Sequence, residues 1–393
     1  MAVDNYAVIH DKRREAREDF RDHFQERLSD KDLSTPNPRV HSLPDGHVVV
    51  WLPKKLYFLT AEISAWNRET VVQGRWFHPP FLPGTSEFYR DVAKRTVLEG
   101  GDYFAFTTGA GLEGQYGHYK HDVLPVIAYF RATLPATTKF LLLDVGVNRE
   151  TLEFIDPKFV AERVHWIQFD EEIIVRGGTL SVSVTNVIPY YKVHDHFNYL
   201  REWIQMNHPP LERQKRNRVI YYKRLIGDAA VHGTMPRVLD LEQEAELLRR
   251  VQKAKIRNRL TNLELVVFDG VDPLTNQTMS LRKQFELFRS ARTIIGPHGT
   301  GLGGNLVWTN PSPRSCFDRV ELLEFIPGKD SSHVHGLYAS HYPFYRGMPI
   351  NYHVALYLNE STKFRTLVDL DMVDEFLDNV WAPVPSRQSA TTK

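Results

Sequence analysis

The stretch Ala291 to Trp308, ARTIIGPHGTGLGGNLVW, holds five glycines and one histidine within the nine residues from Gly296 to Gly304. Glycine lets a backbone turn sharply and approach a ligand closely. A helix N-terminus supplies free N–H groups and a partial positive charge, which suit a phosphate. An imidazole in such a loop, here His298, would donate to a phosphate oxygen as a leaving group gains charge. The six residues Gly299–Gly304 also satisfy the G-x-G-x-x-G dinucleotide fingerprint, although the match begins three residues after the apolar strand pattern ends. No Gly-Lys-[Ser/Thr] follows, so a P-loop is excluded. The glycines alone would also make a tight strand-to-helix turn, which leaves His298 without a task. A diphosphate cradle uses both features. Its candidate residues are Gly296, His298, Gly299, Thr300, Gly301 and Leu302, with Glu324 near the end of the next strand to accept from ribose hydroxyls.

Other residues have chemistry to offer. His118 and Asp122 lie four apart in a stretch with helical spacing, so they share one face. A carboxylate beside an imidazole orients it and raises its basicity; the alternative is a helix-capping carboxylate beside a solvated histidine. Arg224 ends an apolar strand, where a guanidinium would pair with diphosphate oxygens. Asp269 ends another and would either bind a base or ribose or cap the next turn. For metals, the Asp369–Asp371 D-x-D match abuts a helical segment and reads as an N-cap. His194 with His196, and His333 with His335, alternate as strand residues do, a spacing that would hold zinc only with further ligands. No metal site is assigned, and no cofactor is required, although a divalent ion is compatible.

The elements that must position these residues alternate between strand and helix. Strands are predicted in HVVVWLPKKLYFLTAEIS (one or two), YFAFTTG, TKFLLLDVG and VHWIQFD, with a helix over HYKHDVLPVIAYFRATL. From Arg218 the order is again strand, helix, strand, helix, strand, helix, strand, with Asp240 as the N-cap of the longest helix and a last helix over LDMVDEFLDNVW. NLVW is taken as the start of the helix after the glycine loop. Alternation of this kind indicates an α/β fold with largely parallel sheet. The boundaries read as a polar N-terminal extension (1–33), a Rossmann-like domain (34–210), a second, nucleotide-binding domain (211–360), and a C-terminal helix and tail (361–393). The join falls near 205–217, through the basic segment ERQKRNR.

Composition narrows the partners. The 393 residues exceed one ordinary core, so two domains are expected. With 49 basic and 48 acidic residues the formal net charge is +1, against a generally basic nucleic-acid binder. A single cysteine, Cys316, permits no intrachain disulfide and favours a reducing compartment. No run approaches a membrane span, so no transmembrane segment is expected and a cytoplasmic location is favoured over a Golgi lumen.

Three of these segments together resemble glycosyltransferase family 61. GPHGTGLGG followed by VELLEFIPG resembles the family's Gly-x-His-Gly-[Ala]-Gly-Leu segment. GHYKHDVLP resembles its His-x-x-x-Asp-x-Leu-Pro helix through His118, Asp122, Leu124 and Pro125. YYKR and the later RVLDLEQEAELL resemble a strand ending in Arg224 and a second arginine, Arg237, before a helix. Thr300 stands where the family commonly has Ala, and Gly117 where Asn is common. The resemblance implies a GT-B fold, two Rossmann-like domains facing across a cleft with the C-terminal helix crossing back. It implies an inverting transfer from a nucleotide sugar, UDP being the frequent nucleotide, to a glycan or glycoprotein hydroxyl. His118 and Asp122 would then activate the acceptor, and Arg224, Arg237 and the loop would bind the donor. Two other functions share these features: an NAD(P)-binding oxidoreductase using the glycine loop, and a non-catalytic sugar-binding protein of the same fold.

Overall fold

The computed structural model describes residues 6–9, 39–51, 62–66, 71–73, 94–107, 116–168, 171–184, 194–224, 238–309, 319–327, 348, 350–357, 365–366 and 368–382. Three sheets dominate. The first is wholly parallel, in the spatial order β1 (Tyr6–Ile9), β19 (Ile350–Tyr357), β18 (Val320–Pro327), β17 (Ala291–Pro297), β12 (Arg218–Tyr222) and β14 (Glu264–Phe268). The second runs β2 (Arg39–Pro44), β11 (Thr179–Val184), β7 (Asp102–Thr107), β8 (Lys139–Leu143) and β9 (Val164–Ile167), parallel except for β2. The third runs β5 (Val71–Gln73), β4 (Glu62–Trp66), β3 (His47–Trp51), β10 (Glu171–Arg176) and β6 (Lys94–Glu99), antiparallel except where β10 meets β6. The α/β expectation holds. The antiparallel third sheet and β1 are additions to it. Tyr6–Ile9 falls inside the segment expected as a polar extension, yet it pairs with Tyr352–Ala355 at the sheet edge.

The parallel runs are β-branched and apolar because both faces are covered. Along β12, Val219 and Tyr221 face one core while Ile220 joins another. Helices α6 (Leu241–Arg257) and α9 (Leu370–Trp381) cover the first face through Leu247, Val251, Val373, Phe376 and Leu377. The other face carries the largest core, shared with α2 (Leu124–Thr133), α3 (Asn148–Ile155), α4 (Pro157–Arg163), α5 (His194–Asn207), α7 (Leu281–Arg289) and α8 (Thr300–Leu306). That core also takes Phe104, Phe140 and Leu142 from the second sheet, whose opposite face meets Ile173 and Val175 of β10. The chain passes the expected join as a short connection with a turn at Arg213–Lys215, and the apolar core continues across it.

Several expectations need correction. His194 and His196 do not alternate on a strand: both lie in α5, where Phe197, Leu200, Trp203 and Ile204 bury one helical face. His196 packs on the Tyr129 ring at 4.5 Å, and burial pushes its imidazole down to about 4, so it stays neutral. The described part of the C-terminal helix packs on the first sheet. Its apolar stripe lies on the first sheet's outer face, the Trp381 indole donates to Thr293 Oγ1 at 3.0 Å, and Asp371, Asp374 and Asp378 meet Arg250 and Arg257 of α6. Asp369 caps α9 by accepting from the Asp371 N–H, and Asp240 caps α6 by accepting from that of Glu242. His333 and His335 lie outside the described residues.

One carboxylate knits the helical layer together. Asp156 accepts from the Phe159 N–H (2.9 Å), the Trp203 indole (2.8 Å) and Arg131 Nη2 (3.1 Å), joining α4, α5 and α2. Burial alone would raise its pKa, but the Phe159 amide, the indole and the guanidinium outweigh that and hold it below the ordinary value. A carboxyl depressed in the folded state stabilises fully above its unfolded pKa and loses that contribution as pH falls through the folded one. Asp156→Ala is expected to cost about 2 kcal/mol in urea denaturation at neutral pH. The difference from wild type should shrink below pH 4; curves that stay equally separated down to acid pH would refute this account.

Candidate active site

Strand order marks the place of the candidate site. Counting from β12, the parallel sheet runs 2-1-3-4-5, with β14 on one side of β12 and β17 on the other. The chain reverses direction between β12 and β17, and such a switch point opens a crevice at the carboxyl ends of the two strands. The connection through α6 covers one face of the sheet and that through α7 the other, as right-handed crossovers on opposite sides of β12 require. Arg224 follows the end of β12, and His298 and Gly299 follow the end of β17, so residues from distant parts of the chain meet here.

Their contacts are close. Arg224 Nη1 donates to the His298 carbonyl at 3.1 Å. A Cβ on Gly299 would lie 2.9 Å from that same nitrogen, so the bare backbone makes room for the guanidinium. A Cβ on Gly296 would lie 2.6 Å from the Tyr222 carbonyl, and one on Gly301 would strike the Tyr222 hydroxyl. At Gly296 the facing atom is backbone, so glycine is demanded there; at Gly299 and Gly301 the facing atoms are side-chain ends.

The loop itself is shorter than expected. The helix begins at Thr300, not at Asn305, and takes Gly301, Gly303 and Gly304 into its turns. Each glycine costs about 1 kcal/mol in a helix relative to alanine, so packing must override propensity here. The packing partner is the segment that carries the other candidate residues. α1 (Tyr116–His118) leads into a π turn (Tyr119–Val123) and then α2, and α8 lies against both α1 and the π turn. A Cβ on Gly304 would sit 2.7 Å from Gly117 Cα, so the two backbones touch. Asn305 fastens the same contact: its Oδ1 accepts from the Tyr116 hydroxyl at 3.1 Å and its Nδ2 donates to the Gly301 carbonyl at 2.9 Å. Tyr116 also bonds Gln284 of α7.

His118 ends α1 and Asp122 lies within the π turn. The wider turn keeps a four-residue spacing within one coil, and π turns are frequent at functional sites. The side chains of His118, Asp122 and Thr300 are outside those the structure describes, and Arg237 is outside altogether. Leu302 is fully buried in the core as the apolar anchor of α8. Asp269 accepts from the Val271 N–H at 2.9 Å, the turn-capping role.

Two buried polar features were not foreseen. Glu324 is fully buried: its Oε1 pairs with His298 Nδ1 at 2.9 Å and its Oε2 accepts from the Tyr352 hydroxyl at 2.6 Å. The alternating pattern of VELLEFIP places Glu324 on the core face, a signal that a charge there needs partners. Lys120, one residue into the π turn, is also fully buried. Its Nζ stands 3.3 Å from the Tyr116 ring centroid and 4.8 Å from that of Trp308, with no hydrogen-bond partner among the described residues. Burial lowers its pKa far below that of an ordinary lysine, opposed only weakly by Glu150.

A sequence profile described as Glycosyltransferase 61 matches residues 116–315, from the start of α1 past the end of α8. The match covers the two segments that touch at Gly117 and Gly304, the arginine that follows β12 and the glycine loop. The chain belongs to glycosyltransferase family 61. It is therefore a glycosyltransferase, using a sugar donor and an acceptor, and the oxidoreductase reading of the glycine loop falls away. No curated protein and no solved structure matches the chain. No helix among the described residues is long and apolar enough to cross a membrane.

In this glycosyltransferase the Gly117–Gly304 contact sets the distance between the His118 segment and the loop. Gly304→Ala should force the helices apart and lower both the melting temperature and transfer; wild-type values for both would show that the contact yields without consequence. Lys120 gives a second expectation. Between its lowered pKa and the ordinary 10.5, the unfolded chain binds more protons than the folded one, so wild-type stability climbs with pH across that window. Lys120→Met should flatten the climb and gain most stability at the acid end, read by denaturant titrations from pH 6 to 10. Parallel curves for the two proteins would contradict a lowered pKa for the buried amine.

Proposed function

We propose that this enzyme is an inverting glycosyltransferase that moves a sugar from a UDP-linked donor to a hydroxyl of a glycan or glycoprotein. In this reading the parallel six-stranded sheet belongs to the donor-binding half of a GT-B layout, and the second and third sheets belong to the acceptor half. The observation that carries the reading is the contact of Gly117 with Gly304, because it brings the His118–Asp122 segment beside the loop at the switch point.

The chemistry follows from the parts. The acceptor oxygen attacks the anomeric carbon from the side opposite the diphosphate, forming the new C–O bond. Its proton passes to His118, whose basicity Asp122 supports. The electrons of the breaking sugar–phosphate bond leave with the diphosphate. Arg224, the His298 ring and the N–H groups opening α8 take up the charge that develops there. With those groups in place the leaving group is stabilised without a metal ion. Arg237 adds a second cation to the donor side. Glu324 and Leu302 support the loop from beneath, and Asp269 shapes the turn beside it. The single cysteine, Cys316, is compatible with work in the cytoplasm, a reducing compartment.

His118→Ala and Asp122→Ala should each lower transfer by about 10²–10⁴-fold while leaving UDP affinity within a factor of two by calorimetry. His298→Ala and Arg224→Ala should weaken UDP binding itself. Full transfer by the His118 or Asp122 variants would remove the base assignment. Unchanged UDP binding by both donor-side variants would remove the donor site.

A further inference from the structure

A buried carboxylate shared between an imidazole and a phenol does more than fill space. Glu324 has no exposed surface, and both of its oxygens are engaged: Oε1 by His298 Nδ1 at 2.9 Å and Oε2 by the Tyr352 hydroxyl at 2.6 Å. The three side chains come from just past the end of β17, from β18 and from β19, and lie along a diagonal across the sheet: Glu324 pairs with Gly296 and Val354, while Tyr352 pairs with Leu322. An ionised carboxylate only accepts hydrogen bonds, so Nδ1 must carry the proton. Nε2 is then the nitrogen whose protonation changes, and the ring charge depends on how strongly Glu324 attracts the proton on Nδ1.

We propose that Glu324 and Tyr352 are positioning residues that set the tautomer and the proton affinity of His298. Glu324 favours the protonated ring, suited to a diphosphate leaving group, against the burial that disfavours it, and Tyr352 moderates that effect. The Tyr352 hydroxyl stabilises the carboxylate most when the imidazole is neutral, because the carboxylate then carries its full charge uncompensated. The phenol thus pulls the imidazole's pKa down and the carboxylate pulls it up. Arg224 also reaches His298, bonding its main-chain carbonyl and not the ring. The inference rests on the reading of His298 as a donor ligand only for its catalytic consequence; the proton affinity itself is a property of the free enzyme.

The test is a titration of the full chain labelled with ¹⁵N-histidine, with the His298 signals assigned by their loss in His298→Ala. UDP affinity is measured by calorimetry across the same pH range. Glu324→Gln keeps the shape and removes the charge; it should lower the His298 midpoint by about 1 unit or more. Tyr352→Phe should raise it. UDP affinity should fall with rising pH through the wild-type midpoint, and that fall should move down in Glu324→Gln and up in Tyr352→Phe. Opposite shifts support the proposal, since a merely structural loss would move both variants alike or neither. Unmoved midpoints, or shifts of the same sign, overturn it. If the midpoints move oppositely while UDP affinity ignores both pH and His298→Ala, the relay stands and the donor site of the preceding subsection fails.

Discussion

The contact between Gly117 and Gly304 is the constraint on which the site depends. Two backbones meet there without a side chain between them, at 2.7 Å from a notional Cβ to the facing Cα. A seven-residue helix with glycines at 301, 303 and 304 has little intrinsic stability. It exists because α1 and the π turn lie against it and because Asn305 ties its first turn to Tyr116. The same glycines that weaken the helix permit the approach that stabilises it. Any side chain at this point would separate the segment bearing His118 from the loop bearing His298.

Around this contact the chain handles buried charge in two ways. At Lys120 the hold on the charge is weakened: its amine lies over the Tyr116 ring with no hydrogen-bond partner among the described residues, and burial lowers its pKa. Glu324 is given donors on both oxygens, from an imidazole and a phenol. An uncompensated buried charge costs several kcal/mol, so each arrangement avoids a penalty the other could not. The lysine's stem adds apolar surface between helices, while the carboxylate acts on a residue that reaches the switch point.

What the sequence revealed depended on range. Local signals were legible: Asp240 and Asp369 as N-caps, the apolar strands Lys139–Leu143 and Glu264–Phe268, and the helix over Leu281–Arg289. The three motif segments were legible as chemistry because their residue types are uncommon together. Signals set by distant partners were hidden. The glycines of α8 read as loop because their helix is paid for by Gly117 and Tyr222, which lie far away in sequence. His194 and His196 read as strand because two like residues at a spacing of two suggest one strand face, whereas in a helix they lie on nearly opposite sides; the buried stripe that decides the matter begins only at Phe197. The π turn leaves no mark in composition, and the pairing of Tyr6–Ile9 with β19 links opposite ends of the chain.

The switch point explains why these hidden features gather in one place. Between β12 and β17 the chain departs toward opposite faces, so the carboxyl ends of both strands are left facing a shared space. Arg224 enters from one side and needs a gap in the loop opposite, which Gly299 provides. Gly296 must be bare because Tyr222 crosses close beneath it. His298, between these glycines, has its Nδ1 side held by the next strand along, and its backbone N–H donates to the Phe325 carbonyl at 2.9 Å. Backbone and ring are thus fixed to the same strand, β18. A loop built for flexibility would leave its histidine to solvent; here the glycines bring neighbouring groups close enough to hold it still.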